Sequence, residues 1–467
     1  MSENGSSANG AGKAPASSAD YGKTASFLAV GVGLTGVITY AYFLIASHTL
    51  SKPDYGQITV LWSAVFITIS TLYRPIEQLL SRHISEREIR GQSVSEPMRV
   101  ASTIQFGLSL IFAVLALALR GPIQDGLLEG NETLYWVFFT SVLFYAASYF
   151  ARGFLAGKQR FGLFVALILS ESCFRTIFAV LVVVGILSGQ GWVAIGITAA
   201  PALSLLVVPF AFARKAQKEK AAAPVAAAAE PDDRFSFRHG GGFAAAVLLI
   251  MFSEQAFLNA GPLIMRGLEG ATEAGFIFNV LMIARAPLQL FQSVSTSILP
   301  HLTSLHTSDD PDSDREFSHT VKMVLLGIVG FTAVAFAFMA LAGPKAMQIA
   351  FGDKFTYDRL GLLLVTVGMG LYLASVTLNQ ACVAQGQVRR AAARWITCAG
   401  VFIAWNFVPL VANEQRRVEI GFLLAAGVLF TLLYWVYRRP RAHDGDTPEP
   451  GSPEELEARL AMIDENV

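Results

Sequence analysis

The sequence places ionisable side chains inside stretches that are otherwise uncharged, and such side chains are costly in a bilayer. Arg285 is the clearest case, since it lies eleven residues into the apolar stretch 274–298 and thirteen before its end. In a helix, these separations are roughly 16 and 20 Å, too far for the side chain to reach water. Polar residues follow it on the same helix face, namely Gln289, Gln292 and Thr296. A guanidinium group with two amides on one face predicts a binding site for an anionic group.

Glu254 supplies a competing explanation for Arg285. It precedes the turn at 266–273 by as many residues as Arg285 follows it, so a helical hairpin places both side chains at equal depth. Two interpretations stay open, an anion site at Arg285 or a structural ion pair between the two residues. Both hold together if a ligand competes with Glu254 for the arginine. Glu254 is then a candidate for binding a proton or a sodium ion.

A second pair of charges lies in the apolar stretch 163–187. Arg175 is at its middle, and Glu171 comes four residues earlier. An acid followed by a base at i, i+4 is the favourable order for an ion pair on a helix. Arg175 is therefore either a second contact for an anion or the partner of Glu171, with neither interpretation favoured. Glu171 is the second candidate for an ion-coupling carboxylate.

Arg74 stands near one end of its apolar stretch, in "LYRPIEQLL". It is about six residues, near 9 Å, from the end of the stretch, where its side chain can reach the interface. Ser70 and Glu77 share its helix face, and Pro75 can kink or end the helix there. We expect this segment to be the mouth of a polar cleft, the alternative being a simple interface anchor.

The composition identifies the elements that must carry these residues. The chain is 53% hydrophobic and 15% charged, whereas soluble domains carry roughly 25% charged residues. Acidic and basic residues balance at 35 each, so charge argues against a nucleic-acid partner. Twelve apolar stretches are each long enough to cross a bilayer as a helix. They lie near 25–46, 57–80, 100–119, 133–155, 163–187, 191–213, 242–265, 274–298, 321–343, 358–384, 391–412 and 418–437. The sequence predicts an all-α polytopic membrane protein.

The distribution of basic residues predicts the topology. With the N-terminus in the cytoplasm, Lys and Arg in the inner segments outnumber those in the outer ones about three to one. Even short inner turns are basic, and the turn after 155 is assigned Arg152, Lys158 and Arg160. We therefore expect a multi-pass protein of the cytoplasmic (plasma) membrane with both termini inside.

Segment lengths predict how the chain divides. The segment 214–241 is rich in Ala, Pro and charge, and it separates six apolar stretches from six. The predicted organisation is a disordered cytoplasmic tail (1–23), a six-helix lobe (24–213), a cytoplasmic linker (214–241), a second six-helix lobe (242–437) and a cytoplasmic tail (438–467). No outer segment exceeds about 15 residues, which argues against an enzyme that builds its site on a large outer loop. We expect no catalytic activity.

The two lobes resemble repeats of one another. The segment around Gly56, "LSKPDYGQITVLWSAVFITISTLYRPIEQLLSRHIS", aligns with "LEGATEAGFIFNVLMIARAPLQLFQSVSTSILPHLTS" around Gly275. Because each lobe has an even number of predicted spans, both enter the membrane in the same sense. The repeats should be related by an axis along the membrane normal, with a shared site between them near the midplane.

Several segments resemble a known family. "GLTGVITYAYFLIASHTLSKPDYGQITVLWSAVFI", "LYRPIEQLLSRHISE" and "ARGFLAGKQRFGLF" are similar to polysaccharide-exporting flippases of the multidrug/oligosaccharidyl-lipid/polysaccharide (MOP) exporter superfamily. The resemblance covers residues 22 to 437. It implies a V-shaped pair of six-helix lobes that moves lipid-linked saccharides from the inner to the outer leaflet. Twelve spans favour the polysaccharide or O-antigen branch over the lipid II flippases, which have fourteen.

The resulting expectation is a flippase for a polyprenyl diphosphate saccharide that works by alternating access and serves cell-envelope polysaccharide biosynthesis. The substrate diphosphate would meet Arg74, Arg175 and Arg285, because bare phosphate charge costs tens of kcal/mol in hydrocarbon. The expected partners are the lipid-linked saccharide, the bilayer and other polysaccharide-assembly membrane proteins. One alternative is a multidrug/cation antiporter of the same superfamily, a branch that relies on acidic residues in its N-terminal lobe. Another is a non-transporting scaffold for polysaccharide assembly.

Other motifs do not hold. "GVGLTG" (31–36) fits a dinucleotide fingerprint but lies inside an apolar stretch. The acidic residues at 310–314 begin a calcium-loop spacing, but Arg315 and Val321 stand where Gly and Glu are needed. The sequon at Asn131 is isolated. We expect no metal and no cofactor.

Overall fold

The computed structural model describes residues 18–209, 237–285 and 311–438, and regular structure in these ranges is entirely helical. The first seven helices are α1 (Ser18–Thr49), α2 (Lys52–Leu72), α3 (Arg74–Ile89), α4 (Ser95–Ala118), α5 (Glu132–Gly157), α6 (Phe161–Val183) and α7 (Gln190–Ser204). The next six are α8 (Phe237–Leu268), α9 (271–285), α10 (Pro311–Phe351), α11 (Arg359–Ala384), α12 (Val388–Asn406) and α13 (Glu414–Arg438). The predicted all-α class is confirmed.

Within the described ranges, ten helical segments are long and apolar enough to cross a membrane. The run Lys52–Glu88 counts as one of them, although it contains both α2 and α3. Two predicted spans are not among the ten. The structure describes only part of 274–298, as α9, and α12 begins with the basic sequence "VRRAAAR", which lowers its mean hydropathy. The chain is a multi-pass membrane protein.

The helices form two lobes. In the first, α6 packs against α1 and α7, while α5 packs against α3 and α7. In the second, α11 packs against α10 and α13, while α12 packs against α8 and α13. Contacts between the lobes run from α2 to α8 and, less extensively, from α1 to α10. Both α1 and α2 also contact α9. The helices α1 and α8 begin at Ser18 and Phe237, inside the segments predicted as tail and linker.

The break between α2 and α3 shapes the first lobe. α2 ends at Leu72, and Pro75 occupies the first turn of α3, where its missing N–H costs least. α3 then lies against α5, because Gly153 contacts the backbone of Glu77 without an intervening side chain. This contact brings Arg74 and Glu77 beside the polar face of α5.

Side-chain caps fix the start of three helices. Ser51, Asn131 and Asp358 each accept a hydrogen bond from a backbone N–H in the first turn of α2, α5 and α11 respectively. The sequon residue Asn131 thus has a structural role as a cap.

Candidate functional site

Glu171 of α6 lies at the centre of a buried charge cluster in the first lobe. Its carboxylate accepts hydrogen bonds from Arg152 at 2.5 Å and from Arg175 at 3.1 Å. Ser148 donates a third at 3.2 Å, so both carboxylate oxygens are occupied. Two guanidinium groups therefore share one acid. Ion pairing with several hydrogen bonds offsets the desolvation that buried charges otherwise suffer.

Arg175 is held by more than its acid. It donates to the hydroxyl of Tyr145 at 2.9 Å, and its guanidinium lies 4.4 Å from the centre of the Trp62 ring. Only 2% of the residue is exposed. These contacts favour the ion-pair interpretation of Arg175 over a direct contact with an anion. They also leave Glu171 little freedom to bind an ion.

Arg152 is a site residue that sequence reasoning missed. The sequence predicts an inner turn at this position, but Arg152 lies on α5, and its guanidinium is 4.6 Å from the centre of the Tyr149 ring. A signal was present in the sequence. Tyr145, Ser148, Tyr149 and Arg152 follow helical spacing, so α5 carries a polar face.

Arg285 contrasts with the arginines of the first lobe. The alternative ion pair with Glu254 does not form, and within the described ranges no carboxylate comes within ion-pair distance of Arg285. Its Nε atom is buried without a hydrogen-bond partner there, as are the Nε atoms of Arg152 and Arg175, so the contrast lies in the missing carboxylate. Its electrostatic neighbours are Tyr40 of α1 and Tyr372 of α11. The hydroxyl of Tyr40 donates its hydrogen bond to the carbonyl of Met282, which lies one turn before Arg285. The side chain is partly accessible.

Arg74 and Glu254 belong to different lobes and influence each other electrostatically. Arg74 is the basic group that acts on Glu254, at a range longer than a direct ion pair. The buried Tyr372 interacts electrostatically with Glu254, Arg285 and Arg74, so all three charged side chains lie in its neighbourhood between the lobes. All three charged side chains are partly accessible. We call this group, Arg74, Glu254, Arg285 and Tyr372, the seam cluster. Gln289 and Gln292, which the sequence adds to the site, lie outside the described residues.

The charge cluster of the first lobe continues into the seam cluster through Glu77. This carboxylate interacts with Arg152 on one side and with Arg74 on the other. The resulting row alternates in sign, in the order Arg175, Glu171, Arg152, Glu77, Arg74 and Glu254. Arg285 stands beyond the row without an acidic neighbour of its own among the described residues. The predicted residues thus fall into two groups, and one arginine is in excess.

Comparison with solved structures identifies the fold. The chain matches an inward-facing multidrug resistance MATE family transporter of the MOP superfamily with a TM-score of 0.62 and 10% identity, over 88% of this chain and 97% of that one. It matches the eukaryotic MATE transporter AtDTX14 with a TM-score of 0.60 and 15% identity, over 90% and 96%. An outward-facing MATE transporter matches with a TM-score of 0.57 and 14% identity, over 89% and 94%. No protein-family model matches the chain, and no curated protein matches its sequence.

At these identities the likeness shows the fold, which is the MATE-like architecture of two six-helix lobes. This confirms the fold expected from the sequence resemblance to the MOP superfamily. The matched structures do not support the narrower polysaccharide-flippase branch. The matched structures are described as transporters.

Proposed function

We propose that this chain is a membrane exporter that works by alternating access, with multidrug/cation antiport as its leading assignment. Two kinds of evidence support the proposal. Its fold is shared with MATE multidrug transporters solved in inward-facing and outward-facing conformations. Its lobes also meet at a cluster of partly accessible charges, as a substrate site between repeats requires.

The observation that carries the antiport assignment is Glu254, which lies in the second lobe, whereas the antiporter branch relies on acidic residues of the first. It is a carboxylate deep in α8, partly accessible, and without a direct ion pair among the described residues. An ionisable group in a transmembrane helix is costly and marks an ion or substrate path. A carboxylate so placed can bind either a proton or a cationic substrate, and exchange between these two is the chemistry of an antiporter.

The position of Arg74 gives Glu254 a means of coupling. The two side chains belong to different lobes, so ionised Glu254 attracts the first lobe, while protonated Glu254 does not. A charge interaction worth roughly 1–3 kcal/mol shifts a two-state equilibrium about 5- to 150-fold. Binding at Glu254 would therefore change the balance between the two orientations of the lobes.

Transport by everted membrane vesicles tests the antiport assignment. Vesicles from cells that express the chain should accumulate a fluorescent lipophilic cation such as ethidium when a pH gradient is imposed, and a protonophore should abolish this uptake. Glu254→Gln should reduce uptake at least about tenfold, because the neutral amide can bind neither the cation nor the proton that the carboxylate would bind in turn. Glu269→Gln is the matched control, because Glu269 is exposed in the turn of the same hairpin. Full uptake by Glu254→Gln, or none by the unaltered chain, would contradict the assignment.

Arg285 favours a second candidate, the lipid-linked saccharide flippase expected from the sequence. A guanidinium between the lobes that has no acidic partner among the described residues suits a phosphate group better than it suits a cation. Deletion of the gene should then cause a lipid-linked glycan to accumulate on the cytoplasmic leaflet. Arg285→Lys should restore part of the export and Arg285→Ala almost none. Full export with Arg285→Ala would remove this residue from the site, and unchanged lipid-linked glycan upon deletion would remove the flippase candidate.

A further inference from the structure

The two repeats touch each other at equivalent positions. Gly56 of α2 and Gly275 of α9, which the repeat alignment superposes, pack backbone to backbone across the lobes. A Cβ atom added at Gly275 would lie 3.3 Å from the Cα of Gly56 and 3.4 Å from the Tyr55 ring. A Cβ atom added at Gly56 would collide with the carbonyl group of Ala271. The pseudo-twofold axis that relates the repeats therefore passes close to this pair.

Polar and aromatic contacts surround the glycine pair. Tyr55 donates a hydrogen bond of 2.5 Å to the side-chain carbonyl of Asn279, and its ring lies 5.0 Å from that of Phe355. The ammonium group of Lys52 lies 5.6 Å from the centre of the Phe276 ring. Each of these contacts joins the first lobe to the second.

Further contacts between the lobes lie at the same end of the molecule, which holds Leu50 and Gly270 and which we call the Leu50 end. Arg266 donates to the carbonyl of Leu127 at 3.1 Å and pairs with Glu129 at 3.4 Å. Lys354 donates to the carbonyl of Leu50 at 3.2 Å. Arg266 precedes α9 in the chain, and Lys354 follows α10. The Leu50 end is therefore held closed by contacts from two separate segments of the second lobe as well as by the glycine pair.

We propose that the Gly56–Gly275 contact is the gate at the Leu50 end, where the two lobes close on the pseudo-twofold axis and must part for the transport path to open. The inference rests on the proposed alternating access. Glycine at both positions permits backbone contact, which seals the path without side chains that would have to be rearranged. The surrounding hydrogen bonds and the ion pair are exchangeable for water, so the closed state is reversible.

The geometry predicts unequal effects of the two glycines. At Gly56 an added methyl group meets backbone, which cannot move aside, so the lobes must separate. At Gly275 the added methyl group would meet atoms at 3.3 to 3.4 Å, which a small shift can relieve. Gly267→Ala is the matched control, since this helical glycine lies at the same end of α8 with no atom within 4 Å of an added Cβ.

Distances between spin labels on the two lobes test the gate. Cysteines at the exposed positions Thr49 and Thr356 carry the labels, after Cys173, Cys382 and Cys398 are replaced by alanine. In the protein with both gate glycines intact, the distance between the two labels should be mainly short. Gly56→Ala should raise the long-distance fraction about five-fold or more, Gly275→Ala less, and Gly267→Ala not at all. A folded Gly56→Ala protein with an unchanged distance distribution would overturn the gate.

Two further measurements keep the test decisive. If Gly56→Ala does not fold, Tyr55→Phe takes its place, because it removes the hydrogen bond to Asn279 with little change in volume. It should also raise the long-distance fraction, but by less than Gly56→Ala. An unchanged distance distribution in Tyr55→Phe would then overturn the gate. Transport is measured on the same proteins. If the spin-label distances shift in the variants but the unaltered chain transports neither cation nor glycan, the gate is supported and the proposed function is contradicted. If the unaltered chain transports a substrate but the distances do not change in the variants, only the gate is contradicted.

Discussion

Arg175 and Arg285 are the same residue type at the same helical depth in the two lobes, yet their surroundings differ. Each lies fourteen residues after the first described residue of its helix, α6 or α9. Arg175 has a carboxylate, a phenol and an indole ring around its guanidinium, and 2% of it is exposed. Arg285 has two tyrosines nearby, no acid at ion-pair distance among the described residues, and a partly accessible side chain.

The difference shows that depth alone does not indicate function. A buried arginine surrounded by partners is part of the framework, because its removal leaves those partners unsatisfied. An arginine such as Arg285, deep in its helix and without an acidic partner among the described residues, stays costly to the folded protein unless a ligand or another conformation supplies one. The two arginines should therefore respond in opposite ways when stability and transport are measured separately.

The largest expected effect on stability comes from Glu171→Ala. This change leaves Arg152 and Arg175 buried together without their shared carboxylate, and breaking a buried pair in this way costs about 3–5 kcal/mol. Thermal unfolding of the detergent-purified protein measures it. Glu88→Ala serves as the control, since its ion pair with Lys158 is at an exposed position and should contribute less than about 1 kcal/mol. Equal melting temperatures for the two variants would break the comparison.

Arg285→Ala should show the reverse pattern. No partner among the described residues loses a hydrogen bond, so stability should change by less than about 1 kcal/mol. Transport should fall at least about tenfold if the substrate contacts the guanidinium, which corresponds to roughly 1.4 kcal/mol of lost interaction. Unfolding and vesicle transport are measured on one preparation. A loss of stability as large as that of Glu171→Ala would show that Arg285 is also part of the framework.

The sequence was sufficient for the class of fold, because apolar stretches of about 20 residues report directly on membrane crossing. It was also sufficient to select Arg175 and Glu171 as neighbours, since i, i+4 spacing on one helix fixes their proximity. It could not place Arg152 beside Glu171, because that contact depends on how α5 packs against α6. The ion pair between Arg285 and Glu254, which the sequence left open as an alternative to an anion site, is not among the ion pairs of the described residues, for the same reason. Equal depth on two helices does not determine which way each side chain points.

Tyr145→Phe sharpens the comparison within the first lobe. The phenol accepts a hydrogen bond from Arg175 at 2.9 Å, and a buried hydrogen bond to a charged group contributes about 1.5–3 kcal/mol. Tyr135→Phe is the matched control, because that buried hydroxyl donates at 2.9 Å to the neutral carbonyl of Ala116 and should contribute about 0.5–1.5 kcal/mol. Thermal unfolding of the two variants measures which substitution lowers stability more. A Tyr145→Phe protein as stable as the unaltered chain would mean that Glu171 and Trp62 alone suffice to hold Arg175.

The smallest expected effect belongs to a carboxylate outside the membrane-spanning segments. Partial burial, together with the charges of Glu273 and Glu414, raises the pKa of Glu269, and Arg417 opposes the shift. A raised pKa means that the folded protein holds the proton more tightly than the unfolded chain, so stability falls as pH rises from the ordinary value of 4.5 through the folded pKa.

Glu269→Gln removes this loss of stability. Because the group is exposed and screened by water, the variant should gain only a few tenths of a kcal/mol at pH 7 and nothing near pH 4. Melting temperatures at the two pH values measure the gain, and a gain that persists at pH 4 would show that it does not arise from charge. Unlike the pair at Glu171, this repulsion is relieved by solvent, which is why the same carboxylate chemistry has so little effect here.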